Sequence, residues 1–483
     1  MVFILALLAG LAWAQPADLA VTGARIYTLD PARPHASAMA VRDGKILAVA
    51  DDVARHIGPA TRVIDAKGAA VIPGLIDSHV HLRNFGESLE LLELRALNSE
   101  QKIAELVGQA ARERKPGEWI RGRGWDQNTF PDKQFPTAAS LSAAAPHNPV
   151  YLTRVDGHAG WVNQKALESG DVNRATPDPP GGKILRDKDG RPTGILIDRE
   201  QNLVRAHIPS STAEQTRRYL LRAARECARL GLTSVHDAGT GAEELAAMRA
   251  LNAERQFPVR VYAMIGGAGA LWKQYLERGP ETGDRLTVRS IKLVADGALG
   301  SRGAALLEPY SDDPGNTGLL ITGREEIERV AREAVGRGFQ VNTHAIGERW
   351  AEARVGPERV LGAYAWQRFL KLGVVVANGS DFPVEEPNPL WGFYAAVTRQ
   401  DRQGSPPDGW FPGQRMSREE ALKSWTLDGA YAAFEEKTKG SLEPGKLADF
   451  VVLSGDIMKI PPPEILKTRV TMTVLGGEVV YPE

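Results

Sequence analysis

Two histidines separated by one residue, His79-Val80-His81, close the run Val71-Ile72-Pro73-Gly74-Leu75-Ile76-Asp77-Ser78. On a strand, residues i and i+2 point to the same face, so this pair can offer two imidazole nitrogens to one cation. A bare His-x-His is more often structural than ligating, and it needs partners before it implies chemistry. Lys292, His344 and Asp381 each sit at or near the end of a strand-like apolar run. Neutral imidazoles and a carboxylate around a divalent cation would lower the pKa of a bound water from about 16 towards about 7. The cation would also polarise a scissile carbonyl, and a carboxylate such as Asp381 could shuttle the proton to a leaving amine. Each residue also has a plainer reading. Lys292 can pair with Asp296 four residues on, His344 can be a hydrogen-bonded core residue, and Asp381 before Phe382-Pro383 can be a turn residue. His236-Asp237 reads as a structural strand terminus, and Cys227, in the helical pattern Leu220, Ala224, Cys227, as a small buried hydrophobe.

The elements that must position these residues alternate strand and helix patterns, which points to βα units and a parallel sheet. Thr212-Ala213-Glu214-Gln215 fits a capping box before a helix to Gly231, and Leu232 to His236 follows as a strand. Thr322-Gly323-Arg324-Glu325 caps a second helix that feeds Gln340 to His344. With Val71 to Ile76, Val150 to Arg154, Val259 to Met264, Ile291 to Ala295 and Val374 to Ala377, seven barrel strands are expected. The stretch 83–148, with Trp119 and Trp125, is too long for a simple barrel connection and reads as an insertion. Both chain ends read as short antiparallel strands, with hairpin turns at Asp43-Gly44 and Gly476-Gly477.

The chain has 483 residues, 59 basic and 60 acidic, with a formal net charge of -1. That length supports a large core and a second layer, and that balance creates no field to attract nucleic acid. A small-molecule substrate is the expected partner, and a homo-oligomer stays open. One cysteine excludes an intrachain disulfide and a thiolate cluster. Residues 1–14 form an uncharged apolar run ending Ala12-Trp13-Ala14, a signal-peptide pattern that implies a periplasmic or secreted protein; the run is too short to span a bilayer. Without that signal the location would be cytoplasmic. No Gly-x-Ser-x-Gly elbow or phosphate-binding glycine loop occurs, so serine-hydrolase and nucleotide readings fall away.

The segment Val71 to His81 after an N-terminal β-block resembles the opening of the amidohydrolase superfamily. Likeness continues through Arg123-Gly124-Trp125-Asp126, Val155-Asp156-Gly157-His158, Thr233 to Gly239, Ile291 to Arg302, Asn342-Thr343-His344-Ala345-Ile346-Gly347, Gly379-Ser380-Asp381-Phe382-Pro383 and Gly445-Lys446-Leu447-Ala448-Asp449. In that order these motifs are similar to amidohydrolase family 3, the YtcJ-like metal-dependent hydrolases. The resemblance implies an α/β fold: a TIM-like (β/α) barrel over residues 74–440, with a β-sandwich from 15–73 and 441–483. It further implies that His79, His81 and Asp381 bind a metal, with Asp381 also taking a proton from water. Lys292 would be a carboxylated bridging ligand, His344 would bind a second metal, and His158 and Asp296 would line the substrate pocket.

One departure stands out. Gly347-Glu348-Arg349 runs directly into Trp350 to Arg359, where the family carries a further strand with another ligand histidine, and no histidine follows His344. An internal deletion of one βα unit is therefore expected, leaving a gapped barrel. One divalent ion, best suited by zinc, is expected rather than two. The expected activity is hydrolysis of non-peptide carbon–nitrogen bonds in an amide, formamide or N-acyl substrate. A catalytically impaired relative, or a small-molecule binding protein using the Trp-bearing insertion as a pocket wall, stays open.

Overall fold

The structure is a computed structural model that describes residues 16–482, apart from 96, 156–158, 179–181, 199, 297–303, 312–313, 319, 346–355, 357, 359 and 363. The signal-like run 1–14, His158 and the junction at 347–349 lie outside the described residues. The chain divides into two compact units, Met1–Gly86 with Thr216–Glu483, and Glu87–Gln215.

The first unit contains a curled half-barrel of parallel strands: β1 (Leu75–Val80), β2 (Leu232–Thr240), β3 (Arg260–Gly266), β4 (Leu286–Val294) and β5 (Gln340–His344), ordered β5-β4-β3-β2-β1. Near-continuous burial along β2 and β3 fits strands covered on both faces. This is a TIM-like barrel arrangement, with the chemistry-bearing residues at the C-terminal ends of β1, β4 and β5.

Two of the seven expected barrel strands are not strands of this half-barrel. Val150–Arg154 pairs with Ile120–Trp125 and Ala159–Val162 in the other unit's sheet, because a short apolar run does not reveal which sheet it joins. Residues 374–377 form no strand; Val374 and Val375 are exposed, and only the continuation of this segment meets β1. There Ser78 N–H donates to the Asn378 carbonyl at 3.0 Å, Asp381 N–H to His79 at 2.8 Å, and His81 N–H to Phe382 at 2.9 Å. Extended chain thus flanks β1 opposite β2, while among the described residues β5 is paired only with β4.

The capping box before Ala213–Arg229 forms: Thr212 N–H donates to Gln215 Oε1 at 2.8 Å, and Gln215 N–H to Thr212 Oγ1 at 3.2 Å. That helix buries Tyr219, Leu220, Ala223, Ala224 and Cys227 at three- and four-residue spacing, and burial pushes the Cys227 thiol well up. The second expected box does not form. Gly323 precedes Arg324–Gly336, and the Thr322 hydroxyl instead donates to the Val294 carbonyl at 2.6 Å.

Also in the first unit, both chain ends build two sheets around one core that includes Val21, Met39, Val71, Phe450 and Val474. Phe450–Leu453 pairs antiparallel with Ala70–Pro73, joining the ends directly. Asp43 (φ 50°) with Gly44 (φ 74°), and Gly476 (φ 56°) with Gly477 (φ 79°), take the left-handed conformations that tight hairpins need. Arg260 of β3 grips Asp449 through Nε at 2.8 Å and a second nitrogen at 3.1 Å, and both residues are buried.

In the second unit, a six-stranded sheet runs in the order 182–186, 192–198, 159–162, 150–154, 120–125, 92–93. Trp125 and Trp161 are fully buried against Ile103, Val107 and Leu152, with the Trp125 indole donating to the Leu152 carbonyl at 2.9 Å. Trp125 is therefore core.

Candidate metal centre

At the end of β1, the alternation of side chains turns His79 and His81 to one side of the strand. The flanking segment brings Asp381 against them: Asp381 Oδ1 lies 3.2 Å from His81 Nε2 and 3.6 Å from His79 Nε2. Among the described residues, these three form the one group of His, Cys, Asp and Glu whose ligand atoms lie within 4.8 Å of one another. Asp381 Oδ1 is shielded from solvent yet accepts no hydrogen bond of good geometry among the described residues, despite two imidazole nitrogens nearby. An acceptor left without a hydrogen, facing two imidazoles across a small gap, suits a cation that all three could share.

The electrostatics agree with that donor set. Burial, then Lys292, pushes His79 down to about 4, which keeps its imidazole neutral and its nitrogen free to ligate. The Asp381 carboxylate beside it raises His81 despite its burial. Burial would push Asp381 up, but His81, His79 and Lys292 outweigh it and hold the carboxyl below its usual range. Burial also lowers the Lys292 amine.

Lys292 Nζ lies 3.3 Å from His79 Nε2. The carboxylate that acts on Lys292 is Asp381, and no ion pair between Lys292 and Asp296 occurs among the described residues. The plain pairing at i+4 therefore fails, because the end of β4 aims the amine at β1. Asp296 instead accepts the Ala305 N–H through Oδ2 at 3.0 Å, while its buried Oδ1 has no hydrogen-bond partner among the described residues. His344 ends β5 opposite Val294, half-buried, and is not among the three clustered residues. His236 is fully enclosed, and burial pushes it down to about 3.

Two further carboxylates shape the site: Asp237, read from the sequence only as part of a structural strand terminus, and Asp77, which that reading did not single out. Asp237 of β2 accepts the Leu82 N–H at 2.7 Å and the Thr240 hydroxyl at 2.6 Å, which fixes the turn after His81. Asp77 lies two residues before His79 on the same strand and is fully buried. Its i−2 spacing was the available signal, since an acid on the ligand face of a strand needs a reason.

A half-barrel with imidazoles and a carboxylate converging at its strand ends defines a metal-dependent hydrolase, and the amidohydrolase family model matches residues 62–349 and 325–481. The chain belongs to the amidohydrolase family. It is 30% identical to the putative amidohydrolase YtcJ of Bacillus subtilis, covering 95% of this chain and 98% of that one. It is 25% identical to the N-substituted formamide deformylase of Arthrobacter pascens, covering 97% and 99%. Among solved structures, an uncharacterized metal-dependent hydrolase from Pyrococcus furiosus superposes with a TM-score of 0.75 at 26% identity, covering 91% of this chain and all of that one.

Proposed function

We propose that this protein hydrolyses a non-peptide carbon–nitrogen bond in a small amide, formamide or N-acyl compound. The observation that carries the reading is the convergence of His79, His81 and Asp381 within 4.8 Å, beside a buried lysine. The likeness to a formamide deformylase supports the bond class. His79, His81 and Asp381 would hold one divalent ion, with zinc best suited to two imidazoles and a carboxylate. Lys292, carboxylated on its amine, would complete the set, and His344 would stand near a second position that lacks its full complement of ligands. When bound, the ion supplies Lewis-acid polarisation and lowers the pKa of water. Asp381 accepts a proton as the water oxygen bonds to the acyl carbon, and it returns that proton to the nitrogen as the C–N bond breaks.

The single-ion reading rests on an internal deletion at 347–349. It is supported by the family model matching in two overlapping pieces that meet around 325–349, and by the pairing of β5 on one side only among the described residues. We read residues 1–14 as an export signal, residues 15–73 with 441–483 as the β-sandwich domain, and residues 74–440 as the catalytic body. His158 and Asp296 are read as lining the substrate pocket. Metal analysis of the purified chain, with turnover on N-acyl amino acids and formamides, tests the function. Near one equivalent of metal, lost together with turnover in His81→Ala, is the expected result. Less than about half an equivalent in a folded chain overturns it and favours an inactive relative.

A further inference from the structure

The three clustered residues come from two chain segments about 300 positions apart, and something must hold those segments in register. Asp77 is fully buried on β1, two residues before His79. Its Oδ1 accepts the Ser380 N–H at 3.0 Å and the His79 N–H at 3.2 Å, and its Oδ2 accepts the Ser380 hydroxyl at 2.6 Å. One carboxylate therefore binds the backbone of His79 on one side and, on the other, the residue directly before Asp381. Every contact it makes here comes from a donor, which is the complement an ionised carboxylate requires. Gly379 completes the joint: a Cβ there would stand 2.8 Å from the His79 backbone nitrogen and 3.1 Å from Asp77 Oδ1. The segment can lie this close to β1 only without a side chain at that position.

Asp381 has an unusual backbone, with φ at 58° in the left-handed region. A non-glycine residue there costs on the order of 1 kcal/mol or more and persists only when its surroundings fix it. The anchors on either side do so: Ser380 is tied to Asp77, the Asp381 N–H donates to the His79 carbonyl at 2.8 Å, and the Phe382 carbonyl accepts the His81 N–H at 2.9 Å.

We infer that Asp77 and Ser380 form a carboxylate–hydroxyl clamp that sets the distance between the two histidines and Asp381, and so sets the affinity of the site for its ion. Both are positioning residues that act through the ligands they align. The inference rests on the metal-centre reading above and concerns how tightly the site binds, not whether turnover occurs.

Zinc alone, titrated into metal-free full-length protein against a chromophoric chelator, tests it through affinity instead of activity. Asp77→Asn replaces an acceptor oxygen with a donor facing donors, and Ser380→Ala removes the hydroxyl while keeping the backbone N–H. Each is expected to weaken zinc binding by about 10- to 100-fold, the usual effect of removing a partner behind a metal ligand. Ser380→Thr, which keeps the hydroxyl, restores most of the affinity. Ser290→Ala removes a hydroxyl from β4 that bonds Asn342 and the Gln340 carbonyl, and it leaves zinc affinity unchanged. Should Asp77→Asn fail to fold, Ser380→Ala decides alone. Wild-type affinity in a folded Ser380→Ala or Asp77→Asn chain overturns the clamp, whereas absence of zinc binding in the wild type overturns the metal centre itself.

Discussion

The amine nitrogen of Lys292 stands 3.3 Å from Nε2 of His79, although 213 residues separate them in the chain. The end of β4 thereby delivers a buried lysine to an imidazole that burial keeps neutral. Burial lowers the Lys292 amine, and an unprotonated amine is the form that can add carbon dioxide and become an anion. Native mass measurement in bicarbonate buffer is expected to find one added carbon dioxide in the wild type and none in Lys292→Arg. An unmodified Lys292 in a metal-loaded chain removes the bridging carbamate and leaves the three-residue site standing.

Replacing Gly379 with alanine should harm both fold and site. The new Cβ would sit 2.8 Å from the His79 nitrogen, so the segment must withdraw from β1. Overpacking of this kind costs about 1–3 kcal/mol, measurable as a lower urea midpoint. The loss of stability is expected with or without metal.

The buried pair between Arg260 and Asp449 differs in kind from the surface pairs. Asp449→Ala leaves a guanidinium enclosed without its main partner, a change that costs about 3–5 kcal/mol. Glu333→Ala, which breaks an exposed, solvent-screened pair with Arg329, should leave the midpoint nearly unchanged. Chemical denaturation of the two variants side by side checks the contrast.

Glu281 carries a pH-dependent share of stability. Hydrogen bonds from Arg249 and from the Tyr275 hydroxyl, outweighing burial, lower its carboxyl from 4.5 to about 2. Because the folded value is depressed, this stabilisation is complete above the unfolded value of 4.5 and fades as pH falls towards about 2. Glu281→Gln should therefore be less stable than wild type at about pH 7, with the gap in urea midpoint narrowing by about pH 3. A gap that stays constant over that range would assign the loss to packing instead.

Local signals in the sequence identified several elements correctly. Asp43-Gly44 and Gly476-Gly477 could only be tight turns, since their backbones need positive φ, and Thr212 with Gln215 formed its box because both partners lie within four residues. The His79-His81 pair was equally legible, because strand alternation alone sets its geometry. Readings that depended on distant neighbours fared worse. Val150–Arg154 is as apolar as a barrel strand, and only its pairing with Ile120–Trp125 shows otherwise. Thr322 looked like a cap, but the end of β4 claimed its hydroxyl. Lys292 seemed matched to Asp296 by spacing, while the curl of the sheet carried it to His79. Asp77 was passed over because its partner, Ser380, lies 303 residues away.

The pairing of Ala70–Pro73 with Phe450–Leu453 also has a kinetic meaning. These strands are separated by nearly the whole chain, so the ladder between them is a contact of very high sequence separation. During synthesis, Ala70–Pro73 emerges early and must wait, with that edge open, until residue 450 leaves the ribosome. The half-barrel that follows Pro73 is thus made before the sheet beneath it can close. A nascent chain stalled before Phe450 would present an apolar strand edge to its surroundings, the kind of surface that chaperones cover and aggregates extend.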